Sequence, residues 1–305
     1  STDHLTEVLQ PFARLARTVL SDKLQNYPFK SVYSGDDVES VLKGALLPAL
    51  SLELRRVSIR TLVLDAHVNE LRASGKSSFN SAFVSKYVRK VSARAGFWRL
   101  FETYPVLLRK LLEAVISHVD CVLETHDRLA KDFVTIRETF SIPASVKVEK
   151  MLVGLGDRHR RGRTGSQVCF DDGSAIIYKP RSVEAENRFN EIMQWLDRLC
   201  DDDIKIKPRT VLSMGDYGWT EYSAHSCCLD AGEVARFYNR LGKHLALFFV
   251  LCGTDFHCDN LIADGEHPVF FDLEGLFHKV PSSSNEGIKD QVYLVFCFVY
   301  GSFAD

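Results

Sequence analysis

The chain has 305 residues, 46% hydrophobic and 26% charged, with a formal net charge of -2. This is the balance of a globular protein with a sizeable core, and it supplies no global positive field to recruit nucleic acid. No apolar run is long enough to span a bilayer, and no signal peptide is expected at the start. The eight cysteines, at 121, 169, 200, 227, 228, 252, 258 and 297, include no C-x-x-C pair. That excludes a zinc ribbon or thioredoxin motif and fits free thiols in a reducing cytoplasm.

In chain order, apolar residues at helical spacing (Leu5, Val8, Leu9, Phe12, Leu15, Ala16, Val19, Leu20) predict a helix over 3–25. Pro28, Ser34 and Gly35 end it, and Asp36 or Asp37 is placed to cap a second helix over 38–50. A third is predicted over 52–74, with Leu62, Val63, Leu64, Ala66, Val68 and Leu71 on its apolar side. Further helices are predicted over 78–90, 97–101, 106–116 and 118–140, with Tyr104-Pro105 as punctuation. The first ~140 residues therefore read as nearly all helix, and nothing in them looks catalytic.

After Pro143 the pattern changes to a strand over 146–153. Then comes Gly154-Leu155-Gly156-Asp157-Arg158-His159-Arg160-Arg161-Gly162-Arg163-Thr164-Gly165. Glycines let backbone N–H groups approach a phosphate, yet the spacing is neither a Walker loop nor G-x-G-x-x-G. Strands over 167–170 and 174–179 flank Asp171-Asp172-Gly173, a strong hairpin signal, and the second ends on Lys179 before Pro180. The helix over 183–199 offers Glu186 or Glu191 as a partner for Lys179; periodicity does not choose between them. A charged linker (201–207), strands over 210–214 and 219–223, and a strongly apolar helix over 233–251 follow, with Glu221-Tyr222 as a candidate hinge.

That last helix delivers Thr254-Asp255-Phe256-His257-Cys258-Asp259-Asn260, and a strand over 269–271 leads to Asp272-Leu273-Glu274. Protein-kinase-like enzymes use this layout: an acid for the attacking hydroxyl, an Asn for Mg²⁺, then a strand bearing a metal-binding Asp. A polar turn would explain one such fragment. A second acidic pair at hairpin distance is harder to explain that way, because carboxylates ending an apolar strand are costly unless paired or metal-bound. A loop over 281–287 and a helix from 288 to 299 complete the reading. The C-terminus stops inside an apolar run, Val292 to Val299, the expectation for a segment cut from a longer protein or for a chain ordered only to this point.

The order of these parts resembles the dehydratase domain of class II (LanM-type) lanthipeptide synthetases. The stretches that carry the resemblance are Gly156-Asp157-Arg158-His159 with Gly162, Tyr178-Lys179-Pro180-Arg181-Ser182, Thr254 through Ala263, and Phe271-Asp272-Leu273-Glu274-Gly275-Leu276-Phe277. Arg60-Thr61-Leu62-Val63-Leu64 and Tyr104-Pro105-Val106-Leu107 in the helical half add to it. The resemblance implies an α+β fold. A helical subdomain (1–143) precedes a bilobal core like that of lipid and protein kinases, with a small β-rich lobe (144–222) and the start of a larger helical lobe (223–305), truncated at the C-terminus.

It further implies phosphorylation of Ser and Thr in a ribosomally made precursor peptide with ATP and Mg²⁺, then elimination of phosphate to dehydroalanine or dehydrobutyrine. A zinc-dependent cyclase domain elsewhere in the full-length protein then adds Cys thiols. By the same resemblance, Lys179 holds nucleotide phosphate, with Gly156, Gly162 and Arg181 in the cofactor site. Asp255 orients or deprotonates the peptide hydroxyl with His257 beside it, and Asn260, Asp272 and Glu274 hold the metal. Asp157 and His159 match positions used in elimination, with donor and acceptor unassigned between them. Arg158 and Arg160 stand where the family carries smaller or neutral residues, and Gly275 where Thr is common. The Arg and Thr of the family's elimination machinery would fall beyond Asp305. The alternatives are a stand-alone peptide kinase and an inactive leader-peptide-binding domain.

Overall fold

The computed structural model describes residues 7–24, 32–33, 47–74, 81–159, 162–199 and 205–277, with the backbone alone at 47–48, 73–74 and 157–159. The protein is α+β, and its chain divides into two compact units, Ser1–Pro180 and Arg181–Asp305.

In the first unit, α1 (Gln10–Leu24) buries Phe12, Ala16, Leu20 and Leu24, one residue per turn. It begins later than its periodicity suggests, after a 3₁₀ turn at 7–9. The break expected near Ser51 is absent, because α2 runs unbroken over Leu47–Ser74. Its one proline, Pro48, sits in the first turn, where no N–H is needed. The expected start of that helix at 38 lies outside the described residues. Buried Leu50, Leu54, Ser58, Leu62, Ala66 and Glu70 form a strict i+4 stripe. Leu64 and Leu71 lie off it and are exposed.

Two short helices, α3 (Ser81–Ser92) and α4 (Arg94–Thr103), lead to α5, which spans Pro105–Thr139 as one 35-residue helix. The sequence reads as two helices here. The buried face continues through Leu111, Val115, Val119, Val122, His126, Leu129, Phe133 and Ile136, and Ser117 lies off it, so nothing interrupts the helix. α1 and α2 pack against α5. His126 is fully buried, its Nδ1 lies 2.5 Å from the Tyr33 hydroxyl, and burial lowers its pKa to about 4.

β1 (Val148–His159), β2 (Arg163–Phe170) and β3 (Ala175–Lys179) form an antiparallel meander. β1 does not stop at Val153. It continues through the glycine-rich stretch until His159 pairs with Arg163, with register irregularities after Val153 and Leu155. Gly154 (φ 92) and Gly156 (φ 67) permit those bulges, so the stretch forms the arms of a hairpin rather than a loop. The Asp171-Asp172-Gly173 turn forms as expected. Gly173 has φ 86, and Asp172 Oδ1 accepts from the Ser174 N–H at 2.9 Å and the Ser174 hydroxyl at 2.6 Å. Glu124 on α5 ties the helix to the hairpin, with Arg163 Nε at 2.6 Å and Arg128 Nη2 at 2.5 Å. Arg128 also donates to the Tyr178 hydroxyl.

In the second unit, α6 (Glu184–Leu199) buries Glu186, Phe189 and Met193. A hairpin of β4 (Val211–Ser213) and β5 (Gly218–Glu221) follows, each strand shorter than expected. α7 (Ala231–Val250) starts at an N-cap: Asp230 Oδ1 accepts from the Glu233 N–H at 2.8 Å, and Glu233 Oε2 accepts from the Leu229 N–H at 2.7 Å. A 3₁₀ turn (Cys258–Asn260) then leads into a hairpin of β6 (Leu261–Asp264) and β7 (His267–Phe270). β6 has no counterpart in the sequence reading.

The core of this unit gathers Phe189, Met193, Ile206, Phe248, Phe256, Phe270, Leu273 and Leu276. His244 sits among the rings, 5.2 Å from Phe270, and burial lowers its pKa to about 4. The loop expected over 281–287 and the helix expected over 288–299 lie outside the described residues. Among the described residues no helix is long and apolar enough to cross a membrane.

Candidate functional site

The acid–histidine–asparagine loop and the Asp272-Leu273-Glu274 segment are both pinned by apolar residues inside polar motifs. Phe256 is 2% exposed. Its ring stacks on Phe248 with centroids 3.9 Å apart, and Phe270 approaches edge-on at 5.9 Å. Leu273 enters the same core. Each peg fixes the polar residues on either side of it. Asp255, with a side chain 82% exposed, and His257 flank Phe256, while Asp272 and Glu274 flank Leu273.

Backbone bonds join the two segments. The Thr254 N–H donates to the Gly275 carbonyl at 2.8 Å, and the Phe277 N–H to the Leu251 carbonyl at 3.0 Å. The hairpin register pairs Leu261 with Phe270, and the Phe271 N–H donates to the Asn260 carbonyl at 3.3 Å. Asn260 and Asp272 therefore leave the same end of the β6–β7 hairpin. A Cβ on Gly275 would stand 2.0 Å from the Thr254 carbonyl oxygen. The close approach of the two segments demands glycine there.

Within the loop, Asp255 adopts φ 62, the left-handed region that Asp tolerates better than most residues and that often marks functional turns. Asn260 Nδ2 donates to the Asp255 carbonyl at 2.9 Å, which holds the turn. His257 Nδ1 accepts from the Asp259 N–H at 3.3 Å, and its Nε2 lies 3.6 Å from Asp255 Oδ1 and 3.5 Å from Asn260 Nδ2. Asp255, His257 and Asn260 thus form one cluster on an exposed turn.

Arg181, which the resemblance puts in the cofactor site, bonds three carboxylates. Its side chain is 13% exposed. Nη2 bonds Asp272 Oδ1 at 2.6 Å and Glu186 Oε1 at 3.1 Å, and Nε bonds Glu274 Oε2 at 3.0 Å. Burial works against its charge and is the largest single effect. Glu186, Asp272 and Glu274 together outweigh it and hold the guanidinium above the ordinary arginine range. Glu191, the other candidate on α6, is exposed and pairs with Arg188. The available signal was the order Arg181-(x)₄-Glu186 spanning the start of a helix, which an acid–base spacing rule could have flagged.

Among the described residues no group of three or more His, Cys, Asp or Glu stands together as a metal cage. Two carboxylates and an amide oxygen nonetheless suit Mg²⁺, which takes hard oxygen donors, often only one or two carboxylates with the rest from phosphate and water.

In the first unit, Lys179 ends β3 and is buried. Gly156 and Gly162, both at positive φ, line a cleft of about 220 Å³ with Glu53, His118, Cys121 and Thr164. A Cβ on Gly154 would lie 2.6 Å from the Ala49 Cβ, so helix packing accounts for that glycine. The side chains of Asp157 and His159, and residues Arg160 and Arg161, lie outside the described residues.

Residues 104–296 match a family model described as "Domain of unknown function (DUF4135)". The chain is similar to the lacticin 481/lactococcin biosynthesis protein LcnDR2 of Lactococcus lactis subsp. lactis, at 26% identity over 194 residues. That alignment covers 61% of this chain and 21% of the relative, so the chain spans about a fifth of the relative's length. With well over half of its residues matched by the family model, the chain belongs to the DUF4135 family.

Proposed function

We propose that this chain acts in lanthipeptide biosynthesis as the N-terminal part of a dehydratase, phosphorylating Ser and Thr of a precursor peptide with ATP. The similarity to a lacticin 481 biosynthesis protein supports the pathway class. The carrying observation is the tie between the Asp255–His257–Asn260 turn and the Asp272–Glu274 segment through the Thr254–Gly275 backbone bond.

In this reading Asp255 orients the peptide hydroxyl and accepts its proton, and His257 steadies the Asp255 carboxylate. Phosphoryl transfer asks for positioning and charge neutralisation more than for a strong base, so an exposed Asp with an ordinary role suffices. Asn260, Asp272 and Glu274 hold Mg²⁺, which when bound offsets charge on the transferred phosphoryl group. Lys179 serves the nucleotide phosphates as a point charge, and Gly156 and Gly162 belong to the nucleotide site. Elimination to dehydroalanine or dehydrobutyrine needs a base at the α-carbon and an acid or cation on the leaving phosphate, the task of Asp157 and His159. The partners are the precursor peptide and a cyclase domain in the full-length, cytoplasmic protein.

Incubation with precursor peptide, ATP and MgCl₂, followed by mass spectrometry, tests this directly. A gain of one phosphate, about 80 Da, marks transfer, and net loss of one water marks both steps. Asp255→Asn should abolish the phosphate gain; undiminished phosphorylation by that variant refutes the assignment.

A further inference from the structure

The Arg181 guanidinium bonds the two acids proposed to hold the metal, Asp272 at 2.6 Å and Glu274 at 3.0 Å, and shares itself with Glu186 at 3.1 Å. Among these bonded groups one positive charge faces three negative ones. A guanidinium is more weakly hydrated than an ammonium and tolerates partial burial, so it suits a resident role between acids. Mg²⁺ is small, strongly hydrated and demanding of geometry, and it needs the same oxygen lone pairs that Arg181 occupies.

We infer that Arg181 is a resident counter-cation, which holds the coordinating oxygens of Asp272 and Glu274 until a divalent ion displaces it onto Glu186. The inference rests on the metal role proposed above. Metal entry is then an exchange: the guanidinium leaves two carboxylates and keeps the third. Glu186 is the natural receiver. It lies in the first turn of α6, its side chain is 6% exposed, and it is already bonded to Nη2. The exchange keeps the acids paired before the metal arrives, so neither is left as an uncompensated charge.

Mn²⁺ binding to the nucleotide-free protein, followed by electron paramagnetic resonance, reads this without any activity assay. Arg181→Gln removes the competitor and should tighten Mn²⁺ about tenfold, the scale of one charge-assisted hydrogen bond. Glu186→Gln leaves the guanidinium no alternative carboxylate and should weaken Mn²⁺ several-fold. The double variant should match Arg181→Gln alone, because in this exchange Glu186 acts on the metal site through Arg181. Arg181→Lys, which keeps the charge without the planar fork, should fall between wild type and Arg181→Gln. A scaffolding role predicts the opposite for Arg181→Gln, so unchanged or weaker binding by that variant overturns the exchange while leaving the metal reading intact. Equal Mn²⁺ binding by wild type and Asp272→Asn removes the metal reading and the exchange together.

Discussion

Two arginine–carboxylate clusters, one in each unit, are built with opposite stoichiometry. In the first unit Arg128 and Arg163 share the single carboxylate of Glu124, and the shared acid ties α5 to the β1–β2 hairpin. In the second unit one arginine, Arg181, bonds three acids, Glu186, Asp272 and Glu274. The first cluster spends its acid on structure and joins two elements. The second keeps more acid than its own cation requires, on a segment pinned by Leu273 and half open to solvent. Surplus negative charge held in place is what a site for a cation needs and what a purely structural cluster avoids.

The contrast can be broken most forcefully at Asp272. Asp272→Asn should lower phosphoryl transfer on the order of a thousandfold, since a catalytic metal contributes several kcal/mol of charge stabilisation. The same change should leave the melting temperature nearly unaltered, because Arg181 retains Glu186 and Glu274. A large loss of stability would mean that this cluster is structural too.

A smaller effect separates the units by pH. His126 in the first unit and His244 in the second are each held neutral by burial, with pKa lowered from 6.5 to about 4. Between those values the unfolded chain binds the extra proton. Stability is therefore fully present above about pH 6.5, falls as pH drops towards 4, and loses roughly 3 kcal/mol per histidine. Urea unfolding across that range should show the slope, and His244→Phe should flatten the share of the second unit. An unchanged slope in that variant contradicts the burial argument.

Smaller again is Glu124→Gln. It leaves two arginines with a weaker acceptor and should cost about 1–3 kcal/mol, read as a lower urea midpoint. Activity of the folded protein should persist, the reverse of the Asp272 result.

Much of this was legible before any coordinates. Asp171-Asp172-Gly173 announced its hairpin, because Asx side chains and a glycine at positive φ are local demands that tertiary context rarely overrides. The acid–histidine–asparagine turn and its acidic partner segment were legible as residue types at spacings. Continuity was harder to read. Ser117 looks like a break in α5 only until the buried face is seen to pass it by, and Gly154 and Gly156 read as a loop because a strand that bulges still uses glycines. What Arg181 bonds was hidden for a different reason. Its partners Asp272 and Glu274 lie some ninety positions away, and no local pattern reports an ion pair of that range. Periodicity left Glu186 and Glu191 equivalent as partners for Lys179; Glu186 is buried and bonds Arg181, and Glu191 is exposed and bonds Arg188.

Calorimetric titration of MgATP into the protein addresses the nucleotide reading most directly. The account predicts saturable binding that weakens about tenfold or more in both Lys179→Met and Asp272→Asn, the scale of losing one charged contact to phosphate or metal. Equal affinity in the wild type and both variants, or no binding by the wild type, would contradict it.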